Sequence, residues 1–487
     1  MHFSAPIGRQ KSLSRRTILA AAKIENKEHG ASKRSENPII LSRRNDWLKT
    51  YCKRIDITDW QAILPFVTDC VFRHWKRYDF RKLLIQHGLS SEEYTAALAD
   101  HNKTSFISAI ENIAKDAAQR IYERDISPLE PTKIKKRYDY TSRKMREIGW
   151  ECAMQQVFDY IAVYGAMEIF DKRIVPQQAS SVRGRGQIYG IKMIRRWVMK
   201  DRCAESYANR YGYHYASVMK YFVKTDIQKC FPSMRKDKFM SFFRKDCAND
   251  DLLWLWDTLL ESHKSADYSG FMIGSLISQW AVQYCISFGY QYVMSLHMSG
   301  GKSGRKKVTH MLVFMDDVLL TGSNRRELLF AVHMYQKYMY HNFGMRVKCN
   351  FHIKRLSDTD GIDIMGFILY KNGKIKMRRR NFIRIRRAAM KFMHTFFIDR
   401  LQAQHIISYG GFVKYSNTTV MRSKYWITRL MKTARRVISK YDKNRKDESN
   451  GISETRPHIH SRRRQCQRIS ADQAQPEQNF DADSQAH

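Results

Sequence analysis

Acidic residues are scarce in this chain: 47 Asp plus Glu stand against 86 Lys plus Arg, a formal net charge of +39 over 487 residues. A deficit that large implies a polyanionic partner, because phosphates neutralised by Lys and Arg release their counterions. It also carries a self-repulsion cost that solubility alone does not require. Long apolar runs are missing too. No window approaches the ~18 consecutive apolar residues needed to span a bilayer, which leaves attraction to an anionic membrane surface only as a distant alternative. The nine cysteines, from Cys52 to Cys466, include no Cys-x-x-Cys pair and no zinc-finger spacing. Their odd number, with no recognisable secretory leader, predicts reduced thiols in a cytoplasmic protein.

What is present divides the chain into six regions. Residues 1–44 are polar and basic and read as a disordered extension, with an organellar transit peptide as the alternative. Residues 45–139 are mostly helical, with helical apolar spacing at Trp60, Ile63, Leu64 and Val67 and a connecting loop from Asp125 to Asp139. Residues 140–219 hold a helix near Trp150 to Phe170 and the Gly- and Arg-rich run 183–190. Residues 220–376 show a mixed α/β pattern: a β run at Tyr221–Thr225, a helix at Leu276–Tyr292 and a hairpin at Met311–Thr321. A second hairpin turns at Asn372-Gly373. Residues 377–446 are helical and strongly basic, and 447–487 form a polar tail expected to be disordered.

The sharpest feature is Phe314-Met315-Asp316-Asp317, where two acids interrupt an apolar run. Alternation along a hairpin would put one acid near the core face, where an unpaired carboxylate is costly. A hard cation such as Mg²⁺, which prefers carboxylate and phosphate oxygens, removes that cost. An ordinary acidic turn reads the same four residues equally well. Upstream, Asp226 stands where a β run ends, and a strand end beside a hairpin tip can bring Asp226 to Asp316. Between them, Gly270-Phe-Met-Ile-Gly274-Ser275 is a small-residue loop entering a long apolar helix, where backbone can approach a ligand closely.

The order of these elements resembles palm motifs A, B and C of reverse transcriptases, with Asp226 and Asp316 ninety positions apart. Phe343–Lys348 resembles motif D and Ile364–Phe367 the hairpin after it. Ser142–Ile148 resembles the fingers motif Gly-Lys-x-Arg-x-Ile. The runs 183–197 and Ser408–Lys414 resemble bacterial retroelement reverse transcriptases, those of diversity-generating elements, abortive infection and phage defence. The resemblance covers about residues 140–419. It implies an α+β right-hand polymerase with fingers, an antiparallel palm and a helical thumb, preceded by a helical N-terminal extension. The activity implied is RNA-directed DNA synthesis with two Mg²⁺ ions, Mn²⁺ being an acceptable substitute. The partners implied are an RNA template, a DNA primer or product and dNTPs, the template being a dedicated non-coding RNA. Oligomerisation is left open.

Within that frame Asp226 and Asp316 would bridge the metals and Asp317 would be a weaker ligand. Phe231 matches the aromatic gate that rejects a ribose 2′-hydroxyl. Lys144 and Arg146 would clamp the triphosphate, Lys348 would orient pyrophosphate, and Gln279 would touch template or nucleotide. The Arg378–Arg387 segment would grip a duplex backbone. Three departures stand out: Phe314 replaces the usual Tyr, Met272-Ile273 the usual Pro-Gln, and Arg143 the fingers Gly. Gly301-Lys302-Ser303 imitates a P-loop, but the required earlier glycine is Leu296. No RNase H, integrase or zinc-bearing nuclease pattern appears, so self-sufficient mobility is not expected. The rival readings are an RNA-dependent RNA polymerase, which Phe231 argues against, and a non-catalytic RNA-binding protein, which the three retained acids argue against.

Overall fold

The computed structural model describes residues 51–100, 103–127, 132–139, 144–263, 270–297 and 306–450. The basic extension, Ser142 and Arg143, the loop holding Gly301-Lys302-Ser303 and the tail beyond Asn450 lie outside them. The fold is mixed α+β, mostly helical, with antiparallel sheets. It opens on α1 (Trp60–His74), α2 (Tyr78–Gln86), α3 (Ser91–Asp100) and α4 (Phe106–Tyr122). In α4 the buried positions Phe106, Ile110, Ile113, Ala117 and Ile121 recur every three or four residues, so one face packs on α1. Ile63 and Val67 of α1 are fully buried, with Trp60 and Leu64 against the same core.

The strands β1 (Lys133–Asp139) and β2 (Lys144–Trp150) form an antiparallel hairpin in register from Lys133↔Trp150 to Asp139↔Lys144. The loop expected across 125–139 is therefore a strand from Lys133 onward. Lys133 to Tyr138 are exposed, and among the hairpin's described residues only 147–149 of β2 are half-buried. Such a ribbon shows no apolar alternation; the ladder, contacts such as Lys135 Nζ 3.7 Å from the Trp150 ring, and distant contacts at the end of β2 hold it. Then come α5 (Ala153–Gly165), α6 (Met167–Arg173) and α7 (Gln187–Arg210).

Next in order are β3 (Tyr221–Gln228), α8 (Cys230–Ser233), α9 (Lys236–Asp246), α10 (Asp250–Ser262), α11 (Leu276–Met294), β4 (His310–Phe314), β5 (Asp317–Gly322), α12 (Arg325–Phe343), β6 (Arg346–Val347) and β7 (Ile353–Arg355). The strands order as β4-β5-β3-β6, with β7 also on β3, all antiparallel. Val223, Val313, Val318 and Leu320 join one core with residues of α11 and α12. Phe222, Leu312 and Leu319 join another with residues of α7. Both faces are thus covered, which explains the nearly unbroken apolar runs of β4 and β5.

Three short strands follow, β8 (Ile362–Ile364), β9 (Phe367–Leu369) and β10 (Ile375–Met377), in one antiparallel sheet. A turn at Asn372-Gly373 is present, with Gly373 at φ +77, but a tighter turn at Met365-Gly366 makes three strands where one hairpin was expected. The basic C-terminal region forms α13 (Arg379–Thr395), α14 (Arg400–Ser408), α15 (Gly410–Tyr415), α16 (Thr419–Lys424) and α17 (Ile427–Asn450). The last helix thus runs past Asp447, where the tail was expected to begin.

A buried ion pair joins three of these helices. Arg173 of α6 donates through Nε to Asp246 of α9 at 2.7 Å, and Tyr284 of α11 donates to the same carboxylate at 2.6 Å. The Arg173 and Asp246 side chains are only 12% and 3% exposed. Removing one partner leaves the other charge buried, so Arg173→Ala should cost about 3–5 kcal/mol. Urea unfolding of variant and wild type measures it, and a loss of only a few tenths would mean that water replaces the guanidinium.

Candidate active site

Register places the first two acids. In the β3–β5 ladder Asp226 pairs directly with Asp317, and in the β4–β5 ladder Phe314 pairs with Asp317, so Met315 and Asp316 form the hairpin turn. Met315 takes φ +54 there. The Ile227 N–H donates to the Asp316 carbonyl at 3.0 Å, tying the turn to β3. Directly opposed antiparallel residues project to the same face with Cβ atoms about 5 Å apart, and like charges so placed repel. Lysines answer that repulsion. Lys348 Nζ lies 2.6 Å from Asp226 Oδ2, and Lys224 Nζ lies 3.2 Å from Asp317 Oδ1. The hydrogen bond that Lys348 donates to Asp226 holds its ammonium above its ordinary pKa.

Asp316 is open to solvent at the tip. Even so, the protein around it, and then the charges of Asp317 and Asp226, push its carboxyl above the ordinary value, against its own backbone and Arg146. Three acids on one edge with only partial neutralisation suit a hard divalent cation, which takes carboxylates from protein and completes its shell with water and phosphate. Among the described residues no group of three His, Cys, Asp or Glu is gathered as a ready-made metal cage. Two of the carboxylates are turned to lysines instead, and a cation would take those places.

The hairpin tip is held from behind. Val313 N–H donates to the Gln177 carbonyl at 3.0 Å and Ala179 N–H to the Val313 carbonyl at 2.8 Å, so the 177–180 segment runs beside β4. Ser180 Oγ accepts from the Met315 N–H at 2.6 Å and from Gln283 Nε2 of α11 at 3.2 Å. Gln178 Nε2 donates to both the Gln283 carbonyl and its Oε1. These three buried polar residues escaped the sequence reading. Gln283 alone gave a signal, as an amide midway along a mostly apolar helix.

Phe231 follows Lys229, whose φ of +46 turns β3 into α8. Its ring is half-buried against the core, and its carbonyl accepts from the Phe271 N–H at 3.0 Å. A Cβ on Gly270 would stand 2.2 Å from the Pro232 carbonyl oxygen, so only glycine lets that loop dock here. At its other end, Gly274 takes φ +116 and a Cβ would stand 2.7 Å from the Gly149 carbonyl oxygen. Gly149 N–H donates to the Ile273 carbonyl at 2.8 Å. The loop thus clamps the end of β2, the strand carrying Arg146. Arg146, Lys348, Phe231 and the three acids are therefore brought to one region. Lys144 opens β2, but its side chain lies outside the described residues. Gln279, in the first turn of α11, is half-buried and lines a separate cavity of about 220 Å³ behind the loop.

That cavity exposes a second feature missed in the sequence. Glu151 and Asp159 are both buried. Asp159 Oδ2 accepts from Ser275 Oγ at 3.0 Å and from the Leu276 N–H at 3.2 Å, so it caps α11 and fixes the loop. His263 Nε2 lies 3.2 Å from Glu151 Oε1. Burial, then the charge of Glu151, pushes the Asp159 carboxyl well above the carboxylate range. Burial pushes Glu151 up to about 7 and His263 down to about 4.

No protein-family profile matches this chain, and no curated protein matches it. Among solved structures, the apo telomerase of Candida tropicalis is similar at 11% identity and a TM-score of 0.36, over 84% of this chain and 92% of that one. Its form truncated from the C-terminal domain gives 10% and 0.35, over 68% and 85%. The Candida albicans telomerase in complex with a TWJ fragment of telomeric RNA gives 12% and 0.31, over 88% and 87%. At this level of likeness, function rests on the chain's own geometry.

The acid cluster yields a pH dependence with a definite sign. Glu151 ionises near 4.5 when unfolded and near 7 when folded, so ionisation opposes folding across that window. The wild type loses stability relative to Glu151→Gln as pH rises from about 4.5 to about 7, while His263 and Arg77 stay common to both proteins. Melting temperatures across that window should show the variant gaining on the wild type toward neutral pH. A constant difference would place Glu151 in contact with solvent.

Proposed function

We propose that this chain is an RNA-directed DNA polymerase. The single observation that supports it best is the Asp226↔Asp317 cross-strand pair with Asp316 on the adjoining turn, set beside a glycine-clamped loop and an aromatic at Phe231. On this reading the β3–β7 sheet is the palm, the β1–β2 hairpin belongs to the fingers and the α13–α17 helices are the thumb. Asp226, Asp316 and Asp317 would hold two Mg²⁺, or Mn²⁺, which would supply activation of a primer 3′-hydroxyl and stabilisation of the departing pyrophosphate. Arg146 and Lys144 of β2 would clamp the triphosphate. Lys348, released from Asp226, is a cation for the same phosphates.

The basic helices favour a duplex backbone as the ligand. In α13 the side chains of Ile385, Ala389 and Phe392 are buried while Arg379, Arg380, Arg386 and Arg387 are exposed. In α17 Ile427, Leu430 and Ala434 are buried while Arg429, Lys432, Arg435 and Arg436 are exposed. Each helix therefore presents a cationic face opposite its packed one. Arg378 departs from the expected gripping set: its Nε donates to Asp363 at 2.7 Å and fastens the helix to β8. The reading extends to a dedicated non-coding RNA as template, a bacterial retroelement or phage-defence system as context and the cytoplasm as location. Among the described residues no helix is long and apolar enough to cross a membrane.

The decisive assay is primer extension with purified protein, Mg²⁺ and dNTPs. Asp226→Ala and Asp316→Ala should abolish synthesis while leaving RNA binding largely intact. Near wild-type synthesis by both variants would falsify the two-metal assignment.

Sugar choice separates DNA from RNA synthesis. A ring packed below the sugar leaves no volume for a 2′-oxygen, and overpacking costs ~1–3 kcal/mol, which is roughly ten- to a hundredfold in rate. Wild type should extend far better with dNTPs than with rNTPs, and Phe231→Ala should raise rNTP use while keeping some dNTP activity. Equal use of both nucleotide sets by the wild type makes the enzyme an RNA polymerase instead.

A further inference from the structure

The exposed tyrosines at the C-terminal end of α7 point to a second nucleic-acid contact, remote from the carboxylates. Tyr207, Tyr211 and Tyr213 are 62%, 55% and 67% exposed. The Tyr207 and Tyr211 rings lie 4.6 Å apart, centroid to centroid. The Arg210 guanidinium lies 6.0 Å from the Tyr211 ring. The backbone holds this arrangement: Gly212 takes φ +73, and the Tyr213 N–H donates to the Ala208 carbonyl at 2.8 Å.

The surrounding charge is positive because the acids there are already engaged. Asp201 is buried and accepts from Tyr215, Ser217 and the Val218 N–H. Glu205 pairs with Lys371 at 2.8 Å. Lys200 and Arg210 remain exposed on the same side of the helix as the rings, whereas Arg202 donates to the Asn372 carbonyl at 2.9 Å. The position is distant from the acids. Gly190 of α7 packs on Ala179, whose N–H bonds Val313 near the hairpin tip, whereas Trp197 stacks on His310 at the far end of β4. Tyr207 lies ten residues further along the helix, so at 1.5 Å per residue and about 3.4 Å per strand residue it stands roughly 25 Å or more from Asp316.

We propose that Tyr207, Tyr211 and Tyr213, with Lys200 and Arg210, form a stacking platform for single-stranded RNA that holds a long template outside the catalytic region. Aromatic rings interleaved with cations take bases of any sequence, because every base has a π-face and every linkage a phosphate. The net charge of +39 supplies the complementarity. The proposal rests on the polymerase reading only for calling the RNA a template.

The test compares wild type, the triple alanine variant (Tyr207→Ala, Tyr211→Ala, Tyr213→Ala) and the matching triple phenylalanine variant. Fluorescence anisotropy reads binding of a long labelled oligouridylate, and extension of a short preannealed primer–template reads catalysis. The alanine variant should bind the oligouridylate roughly tenfold or more weakly, with extension of the short substrate unchanged. The phenylalanine variant should bind like wild type, since stacking needs the ring and not the hydroxyl. Unchanged affinity in the alanine variant, or an equal loss in the phenylalanine variant, overturns the platform. A chain that binds RNA this way yet extends no primer defeats the polymerase reading and leaves the platform standing.

Discussion

Two carboxylates held one cross-strand step apart repel each other, and the central sheet is arranged around containing that repulsion. Asp226 and Asp317 cannot move apart, because the register that opposes them continues through five more pairs to Tyr221↔Gly322. Most residues of those pairs are buried, against α11 and α12 on one side and α7 on the other. A one-residue slip would turn Val318 and Leu320 toward the wrong core, so the register is fixed by packing and the charges must accept it. Ser180 then locks the turn from behind through the Met315 N–H.

The same economy governs the loop at residues 270–275. It meets β2 through glycines at both contact points, Gly149 and Gly274, and meets α8 through Gly270. Backbone approaches this close leave no room to adjust, so the loop's position depends on its far anchor. That anchor is Asp159, whose single carboxylate oxygen holds both Ser275 and the start of α11. A buried acid serves there because a helix start offers N–H groups that need an acceptor and stabilise one.

Legibility in the sequence followed burial. The β4–β5 hairpin was readable because two acids can break an apolar run cheaply only where the chain turns out to solvent, and the α11 helix because its apolar stretch is long. The β1–β2 hairpin was unreadable: Lys-Ile-Lys-Lys-Arg-Tyr carries no face pattern when both faces meet solvent. Gln178 and Ser180 were invisible for a different reason, since they reach the turn through a parallel bridge to β4 that no local pattern encodes. Glu151 and Asp159 look like surface acids in sequence, and only the fold shows them buried beside His263. Arg378 was read as part of a cationic face, yet one hydrogen bond to Asp363 makes it a fastener.

Lys348 and Lys224 join the site's electrostatics to its chemistry. Each occupies a carboxylate that a metal ion would need, and each is partly exposed, so the pair is held by a modest interaction that water and salt weaken. On the polymerase reading, a divalent ion bound with a triphosphate would bring more positive charge to the acids than one ammonium does, and its phosphate oxygens would be partners for the ammonium groups. On that reading, Asp226 and Asp317 would pass from lysine to metal and the freed ammonium groups would meet phosphate oxygens. The Lys348 backbone stays anchored throughout, because its N–H donates to the Asp226 carbonyl at 2.9 Å independently of its side chain. The two lysines that offset the acids' repulsion thus stand on the oxygens that the polymerase reading would assign to metal.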